Sequence, residues 1–413
     1  MRTILHSDLN NFYASVECLY DPSHRDMPVA VCGDPKDRHG IVLAKNMCAQ
    51  KMGVATGEVI WKALGKCPDL VIVPPDFPKY TRFSRMMREI YREYSDFIEP
   101  FGLDEAWLDV TGHSMEGVKI ADELRRRARE ELGLTLSVGV SFNKIFAKLG
   151  SDMRKPDATT VILPEDFREK VWPLPVQELL YVGPATFRKL CRRNLHTIGE
   201  LAKCPPEVLR AMLGRHGEML WSFANGLDQS PVMPVDYAED VKSVGNSTTA
   251  PRDLQCEGQV HQILTVLGES IAERLRHQDL QGNVVGISVR DNGLFTFTRR
   301  RKLTRPTALA AEIIPCAMAL FRESYRWERP VRSVGVNVSG ITTRDEVEQM
   351  SMFPDRERKR TYLLESAVED IRRRFGYHSI LRANLISDKE IRELNPREEH
   401  VIFPVGWKNR TDE

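Results

Sequence analysis

Asp104 and Glu105 stand side by side between two short β-like runs, residues 97–101 and 106–110. Adjacent carboxylates in a strand-connecting turn repel one another, so the fold must supply a cation or a shared proton. A third acid, Asp8, follows the apolar run at residues 3–9, which reads as a strand. Sheet pairing can bring it beside the other two. Three carboxylates at neighbouring strand ends suit an oxygen-seeking divalent cation such as Mg²⁺. Taken one at a time, each of the three would more often be a solvated loop acid.

The surrounding pattern predicts the sheet. After the first strand, residues 12–18 open a helix, and residues 29–33 and 40–44 form two short strands around the turn-rich 34–37. Residues 78–94 are helical. Val118, Ala121, Leu124, Ala128 and Leu132 recur at helical spacing, with Gly133 as the stop. Residues 134–141 alternate as a strand, 143–153 read as helix and 159–163 as a closing strand. Setting aside the two strands after residue 20 as an insertion, this is an α+β layer of ferredoxin-like type.

Beyond it the chain changes character. Residues 166–230 are helical; Gly183-Pro184 falls between two helical stretches, and Thr197-Ile198-Gly199-Glu200 matches a capping box. The acidic, proline-containing residues 231–240 read as a linker. Strands and helices mix again from 242 to 345, with 284–290 and 294–298 as a strand pair. From residue 346 the chain is polar, helical to about Phe375 and then irregular.

At 413 residues, two to four domains are expected. The 59 Lys and Arg nearly cancel 58 Asp and Glu, so a polyanionic partner must be argued locally. Residues 242–345 hold 15 Lys and Arg against 10 Asp and Glu, a local net of +5. Eight scattered cysteines without a CxxC pair suggest neither a zinc site nor a redox motif, and fit reduced thiols in a cytosolic protein. No apolar stretch is long enough for a signal peptide or a membrane span.

The motif Asp8-Leu9-Asn10-Asn11-Phe12-Tyr13-Ala14-Ser15-Val16-Glu17 resembles the first catalytic motif of the Y-family translesion DNA polymerases. Leu103-Asp104-Glu105-Ala106-Trp107-Leu108-Asp109 resembles the second. Val138-Gly139-Val140-Ser141-Phe142-Asn143-Lys144, with Ala147-Lys148 and Lys155-Pro156, resembles a third. The likeness runs through roughly residues 1–345 and is nearest the bacterial polymerase IV type.

The resemblance implies a multidomain α+β right-hand polymerase. A ferredoxin-like palm would span 1–10 and 77–165, small fingers 11–76, and a helical thumb with a helix-hairpin-helix 166–231. A linker at 232–241, an α/β little finger at 242–345 and a tail at 346–413 would follow. The implied reaction is template-dependent transfer from dNTPs to a primer 3′-hydroxyl by two Mg²⁺ ions, with Mn²⁺ able to substitute, at low fidelity and past damaged template. Asp8, Asp104 and Glu105 would be catalytic and hold the ions with the Leu9 carbonyl. Tyr13 would be the steric gate against a 2′-hydroxyl, and Phe12, Gln50 and Lys155 would contact the nucleotide. Gly183, Ala185, Arg188, Arg299, Arg300 and Arg301 would hold DNA. Gln349, Ser351, Met352 and Phe353 resemble the peptide by which bacterial polymerases dock on the β sliding clamp. A monomer working in the bacterial cytoplasm, at the nucleoid during synthesis, completes the picture.

Several positions depart from the family's pattern. Met47 and Gln50 stand where a Tyr and an Arg usually meet the triphosphate, and Lys45 and Lys51 are candidate substitutes. Gly102 replaces a usual Ser, Ile41 and Leu43 replace smaller residues, and Ala185 replaces the hairpin's second Gly. Two other functions are compatible with parts of the pattern: a weak or inactive polymerase-like accessory protein acting in a mutasome, and a nucleotidyl cyclase. The complete carboxylate set argues against the first, and the hairpin and basic module argue against the second.

Overall fold

A computed structural model describes residues 2–33, 40–237, 240–344 and 356–396. They form two compact units, meeting in the chain near residues 238–239.

The first unit begins with β1 (Ile4–Leu9) and α1 (Phe12–Tyr20). Asn11, in the left-handed region at φ 50°, makes the abrupt turn between them, a conformation that Asn tolerates better than most residues. β2 (Val29–Cys32), β3 (Val42–Lys45), α2 (Met47–Lys51), α3 (Ile60–Lys66) and β4 (Val71–Val73) follow as a separate small layer with sheet order β3-β2-β4. Neither α3 nor β4 was evident in the sequence. Next come α4 (Phe77–Arg92), β5 (Ile98–Pro100), β6 (Glu105–Asp109), α5 (Gly117–Leu132), β7 (Leu136–Ser141), α6 (Lys144–Met153) and β8 (Thr159–Ile162).

The larger sheet has the order β5-β6-β1-β7-β8, with β1 antiparallel to both β6 and β7. Side chains alternate across it. Leu5 and Leu9 join the core that includes Met87 and Ile90 of α4 and Ile120 and Leu124 of α5. Ile4, His6 and Asp8 face the other way, toward α6. Gly139 of β7 makes this second packing close: a Cβ there would lie 1.9 Å from the Ala147 carbonyl oxygen. With no side chain between them, α6 rests on the strands.

α7 (Phe167–Val171), α8 (Pro184–Cys191), α9 (Ile198–Lys203), α10 (Pro206–Leu213) and α11 (Arg215–Ala224) form a helical cluster. The Thr197/Glu200 capping box is present. The segment before Gly183 is less helical than its sequence suggests, a single 3₁₀ turn at Val176–Glu178. The expected linker is also partly structured. Val232 packs with Ile4 and Trp107, and the Val235 amide donates to the Asp96 carbonyl. Apolar Val232 and Val235 outweigh the turn signals around them, so the chain leaves this unit only near residue 238.

In the second unit, β9 (Ser243–Leu254), α12 (Glu257–His277), β10 (Leu280–Asp291), β11 (Thr296–Thr307), α13 (Ala310–Ser324) and β12 (Val331–Thr343) form a sheet of order β11-β10-β12-β9. Val285, Ile287 and Val289 of β10 join α12 and α13 in its core. α14 (Arg356–Phe375) and α15 (Lys389–Arg392) complete the unit. Both belong to its body: Glu365 of α14 pairs with Arg276 of α12, and Leu385 and Ile391 enter the same core. After Phe375 the chain is irregular as expected, with two 3₁₀ turns and the short α15, but through residue 396 it packs on this unit instead of forming a separate tail. The candidate clamp residues Gln349, Ser351, Met352 and Phe353, like the turn at 34–37, lie outside the described residues.

Candidate active site

Strand register builds the site. Asp8 sits directly opposite Glu105 on one side and Ser137 on the other. Glu105 is the first residue of β6, so only Asp104 occupies the bend, and the Asp104 carbonyl accepts the Leu9 amide at 3.0 Å. The preceding Gly102 has φ 91°, a backbone that a serine would adopt only under strain, which accounts for the small residue here.

Two lysines lie against these acids. Lys148 of α6 places Nζ 3.2 Å from Asp8 Oδ2 and 2.8 Å from Glu105 Oε2. Lys155, just past α6, places Nζ 2.7 Å from Asp8 Oδ2. Asp152 holds both, at 3.1 Å from Lys148 and 2.8 Å from Lys155. The Asn10 side chain accepts the Asp157 amide at 2.8 Å and donates to Ser137 Oγ at 2.9 Å, pinning the turn after Lys155 to the end of β1.

His6 lies beneath the cluster, fully buried. Its Nδ1 is 2.8 Å from Ser151 Oγ, and its Nε2 is 3.2 Å from Glu105 Oε2. Burial lowers its pKa to about 4, so the ring is neutral. Burial and the Glu105 charge raise Asp8 against the pull of Lys148 and Lys155. Burial and the charges of Asp8 and Glu105 push Asp104 up to about 7. Burial disfavours the Glu105 charge too, but His6 and Lys148 outweigh it and hold that carboxyl below its usual range. Four carboxylates thus face two ammoniums.

The site suits a hard divalent cation because its donors are all oxygens and Glu105 Oε2 accepts no aligned hydrogen bond. Among the described residues, no three such side chains already converge on one ion position. The Lys148 ammonium occupies the gap between Asp8 and Glu105.

Tyr13 stacks on Tyr80, with ring centroids 4.4 Å apart, and meets Phe77 and Phe12 at its edges. Burial and the nearby Asp104 charge push its hydroxyl up to about 12, so it stays protonated. Phe12 is buried beside it. Gln50 and Met47 are exposed on α2, outside the hydrogen-bonded cluster. Lys45 ends a strand and donates to Thr56 Oγ1 at 3.1 Å. Gly183 caps α8 with Pro184 in its first turn, and Ala185 and Arg188 are exposed there.

In the second unit the basic run divides by face. Arg299 and Arg301 pair with Ile287 and Val285 on the helix-covered side, where Arg301 bonds Glu323 at 2.5 Å and Arg299 lies over Phe297. Arg300 opposes Gly286, on the open side. The alternation expected of an extended strand, which sends about half of these charges to each face, holds for Arg299, Arg300 and Arg301, whereas His6, Lys148 and Asp152 carry no role legible in the sequence. The motif Ala147-Lys148 was visible, but its meaning depends on contacts up to 140 residues apart.

A two-sided α/β sheet that gathers acids from adjoining strand ends, with Lys148 of a helix and Lys155 just beyond it lying over them, is the layout of a nucleotidyl-transfer palm. Residues 7–152 match the model of the impB/mucB/samB family, and residues 241–352 match that of its C-terminal domain. DNA polymerase IV of Acetivibrio thermocellus is 50% identical over 95% of this chain and 100% of its own length. DNA polymerase IV 1 of Bacillus subtilis is 34% identical, over 94% of each. A Y-family DNA polymerase chimera superposes with a TM-score of 0.73 at 25% identity, covering 83% of this chain and 99% of the other. The chain belongs to the Y-family DNA polymerases, in the DNA polymerase IV group.

Proposed function

We propose that the Asp8, Asp104 and Glu105 cluster is the centre at which this translesion DNA polymerase joins a dNTP to a primer 3′-hydroxyl. The observation that carries the reading is the excess of buried carboxylates gathered by the β1–β6 register. With the Leu9 carbonyl, these residues would hold two Mg²⁺ ions, for which Mn²⁺ can substitute. Bound there, the ions would activate the hydroxyl and neutralise charge building on the leaving group. Lys155 leaves Asp8 to meet the triphosphate as a mobile point charge. Tyr13, braced by Tyr80 and Phe77, blocks the space of a 2′-hydroxyl, and Phe12 backs it. Gln50 offers an amide to the triphosphate in place of a guanidinium.

Other parts of the chain hold DNA. Residues 1–10 and 77–165 act as palm, 11–76 as fingers, 166–231 as thumb and 242–345 as little finger. Free amides in the first turn of α8, at Gly183 and Ala185, with Arg188, suit backbone phosphates without reading sequence. Arg299, Arg300 and Arg301 supply the little finger's charge. Residues 349–353 dock on a β sliding clamp, with Gln349 bonding backbone groups, Ser351 between, and Met352 and Phe353 filling an apolar pocket. The protein works as a monomer in the cytoplasm, at the nucleoid during synthesis. No helix among the described residues is long and apolar enough to cross a membrane.

Primer extension with Mg²⁺ and four dNTPs tests the centre. Asp104→Ala with Glu105→Ala should lower extension by roughly a thousandfold or more while leaving duplex affinity nearly unchanged. Extension within tenfold of the parent would refute the assignment. Gln349→Ala with Phe353→Ala should weaken clamp binding by about 2 kcal/mol and spare single-nucleotide insertion.

A further inference from the structure

Lys148 has no part in the reading above, yet it occupies the most crowded charge environment of the site. Its ammonium contacts three carboxylates from three elements: Asp8 of β1, Glu105 of β6 and Asp152 of its own helix. Only 12% of the side chain is exposed. The position is fixed from behind, because Gly139 lets α6 rest on the sheet.

An ammonium and a divalent cation compete for the same oxygens. The ammonium spans its partners at 2.8–3.2 Å here, whereas Mg²⁺ draws oxygens to about 2.1 Å. A gap between two strand-end carboxylates cannot satisfy both.

We propose that Lys148 is a resident counter-ion that holds Asp8 and Glu105 together before a divalent cation enters, and that it sets the site's cation affinity by competing for those oxygens. This rests on the reading of Asp8 and Glu105 as ion ligands. Asp152 makes the exchange reversible. It lies one helical turn beyond Lys148 and is 38% exposed, so the displaced ammonium keeps a partner at the rim. Lys148 is thus a positioning residue, acting on the reaction through the carboxylates.

The experiment uses the full-length protein without DNA or nucleotide. Mn²⁺ binding is followed by loss of the free-ion EPR signal, and melting is recorded in EDTA and in excess Mg²⁺. Lys148→Met removes the charge at similar length and should bind Mn²⁺ roughly tenfold tighter, since a like charge within 4–6 Å weighs about one pKa unit or more. It should melt lower than the parent in EDTA and regain most of the difference in Mg²⁺. Lys148→Arg keeps the charge and should stay near the parent in both. An Mn²⁺ affinity that is unchanged or weaker, or the same loss of melting temperature with and without Mg²⁺, would overturn the proposal. Asp8→Asn separates it from the reading beneath it. If that variant binds Mn²⁺ as the parent does, the ligand assignment fails; if it loses Mn²⁺ while Lys148→Met binds no tighter, only the counter-ion role fails.

Discussion

Among the described residues, two partly buried clusters of charge are built on opposite plans. In the second unit, Glu269, Glu365 and Glu369 meet Arg276, Arg372 and Arg382, three acids against three guanidiniums. Several further valences there go to the backbone: the Ala310 and Ala311 amides donate to Glu365, Arg276 to the Ala308 carbonyl and Arg372 to the Ile380 carbonyl, while Glu269 Oε2 accepts no aligned hydrogen bond. In the first unit, Asp8, Asp104, Glu105 and Asp152 face only Lys148 and Lys155. The balanced cluster fastens α14 and the chain after it to α12 and α13. The unbalanced one is left two positive charges short, a repulsion that the divalent ions proposed above would relieve.

The largest expected effect comes from breaking the balanced cluster. Arg276→Ala strands Glu365 and Glu369 in the interior and should cost about 3–5 kcal/mol of stability, read from urea unfolding of the second unit. Single-nucleotide insertion by the folded fraction should be unchanged. A loss below about 1 kcal/mol would mean that water reaches these carboxylates and the contrast is false. Glu365→Gln is milder, at about 2–3 kcal/mol, because the amide can still accept from one helix N-terminus while the ion pair is lost. Its signature is a weakened start to α13, visible as faster amide exchange at Ala310 and Ala311.

The matching change in the first unit should have the opposite sign. Asp104→Asn relieves repulsion and, in chelator at pH 8, should add about 1–2 kcal/mol of stability while abolishing extension. The pH dependence follows. With its pKa raised to about 7, Asp104 binds a proton more readily folded than unfolded. Its contribution is complete below about pH 4, the unfolded value, and is lost as pH rises through about 7. Melting in EDTA should therefore drop across this window, and Asp104→Asn should flatten the drop. An identical slope in the variant would show that Asp104 ionises as an ordinary surface acid.

The two clusters were not equally legible in the sequence. The acids at 8, 104 and 105 could be placed together because each lies in a local pattern, a strand end or a strand-connecting turn, and because a divalent site leaves a recognisable motif. The helix stop at Gly133 and the Thr197/Glu200 box are local in the same way. Arg276 and Glu365 are 89 residues apart on two helices whose polar residues look like ordinary solvated faces. Nothing within one turn of either distinguishes a buried ion pair from a surface one, so α14 read as the start of a tail. His6 and Lys148 were lost for a related reason. Their meaning depends on α6 lying on the strands, which a single residue, Gly139, permits.

The smallest effect tests the contrast at the surface, where pairing should decide whether a charge is available to DNA. Arg300 and Arg301 are neighbours on β11, yet alternation sends them to opposite faces of the sheet. Arg301 is engaged with Glu323, whereas Arg300 lies on the open side, opposite Gly286, which pairs in turn with Asn337. Exposed pairs and single exposed charges contribute little to folding, so neither Arg300→Ser nor Arg301→Ser should move stability beyond about 0.5 kcal/mol. Their effects on DNA should differ. Each phosphate contact releases counter-ions and adds about −0.9 to the slope of log affinity against log salt on duplex. Arg300→Ser should flatten that slope by about this amount, while Arg301→Ser should leave it nearly as it was, because an arginine already neutralised by Glu323 has little charge left to exchange for a bound cation. Glu323→Gln then sharpens the comparison: it frees Arg301 and should steepen the slope if the helix side reaches the phosphate backbone. Equal flattening by Arg300→Ser and Arg301→Ser would mean that DNA breaks the Arg301–Glu323 pair, and that pairing in the free protein does not predict which charges it uses.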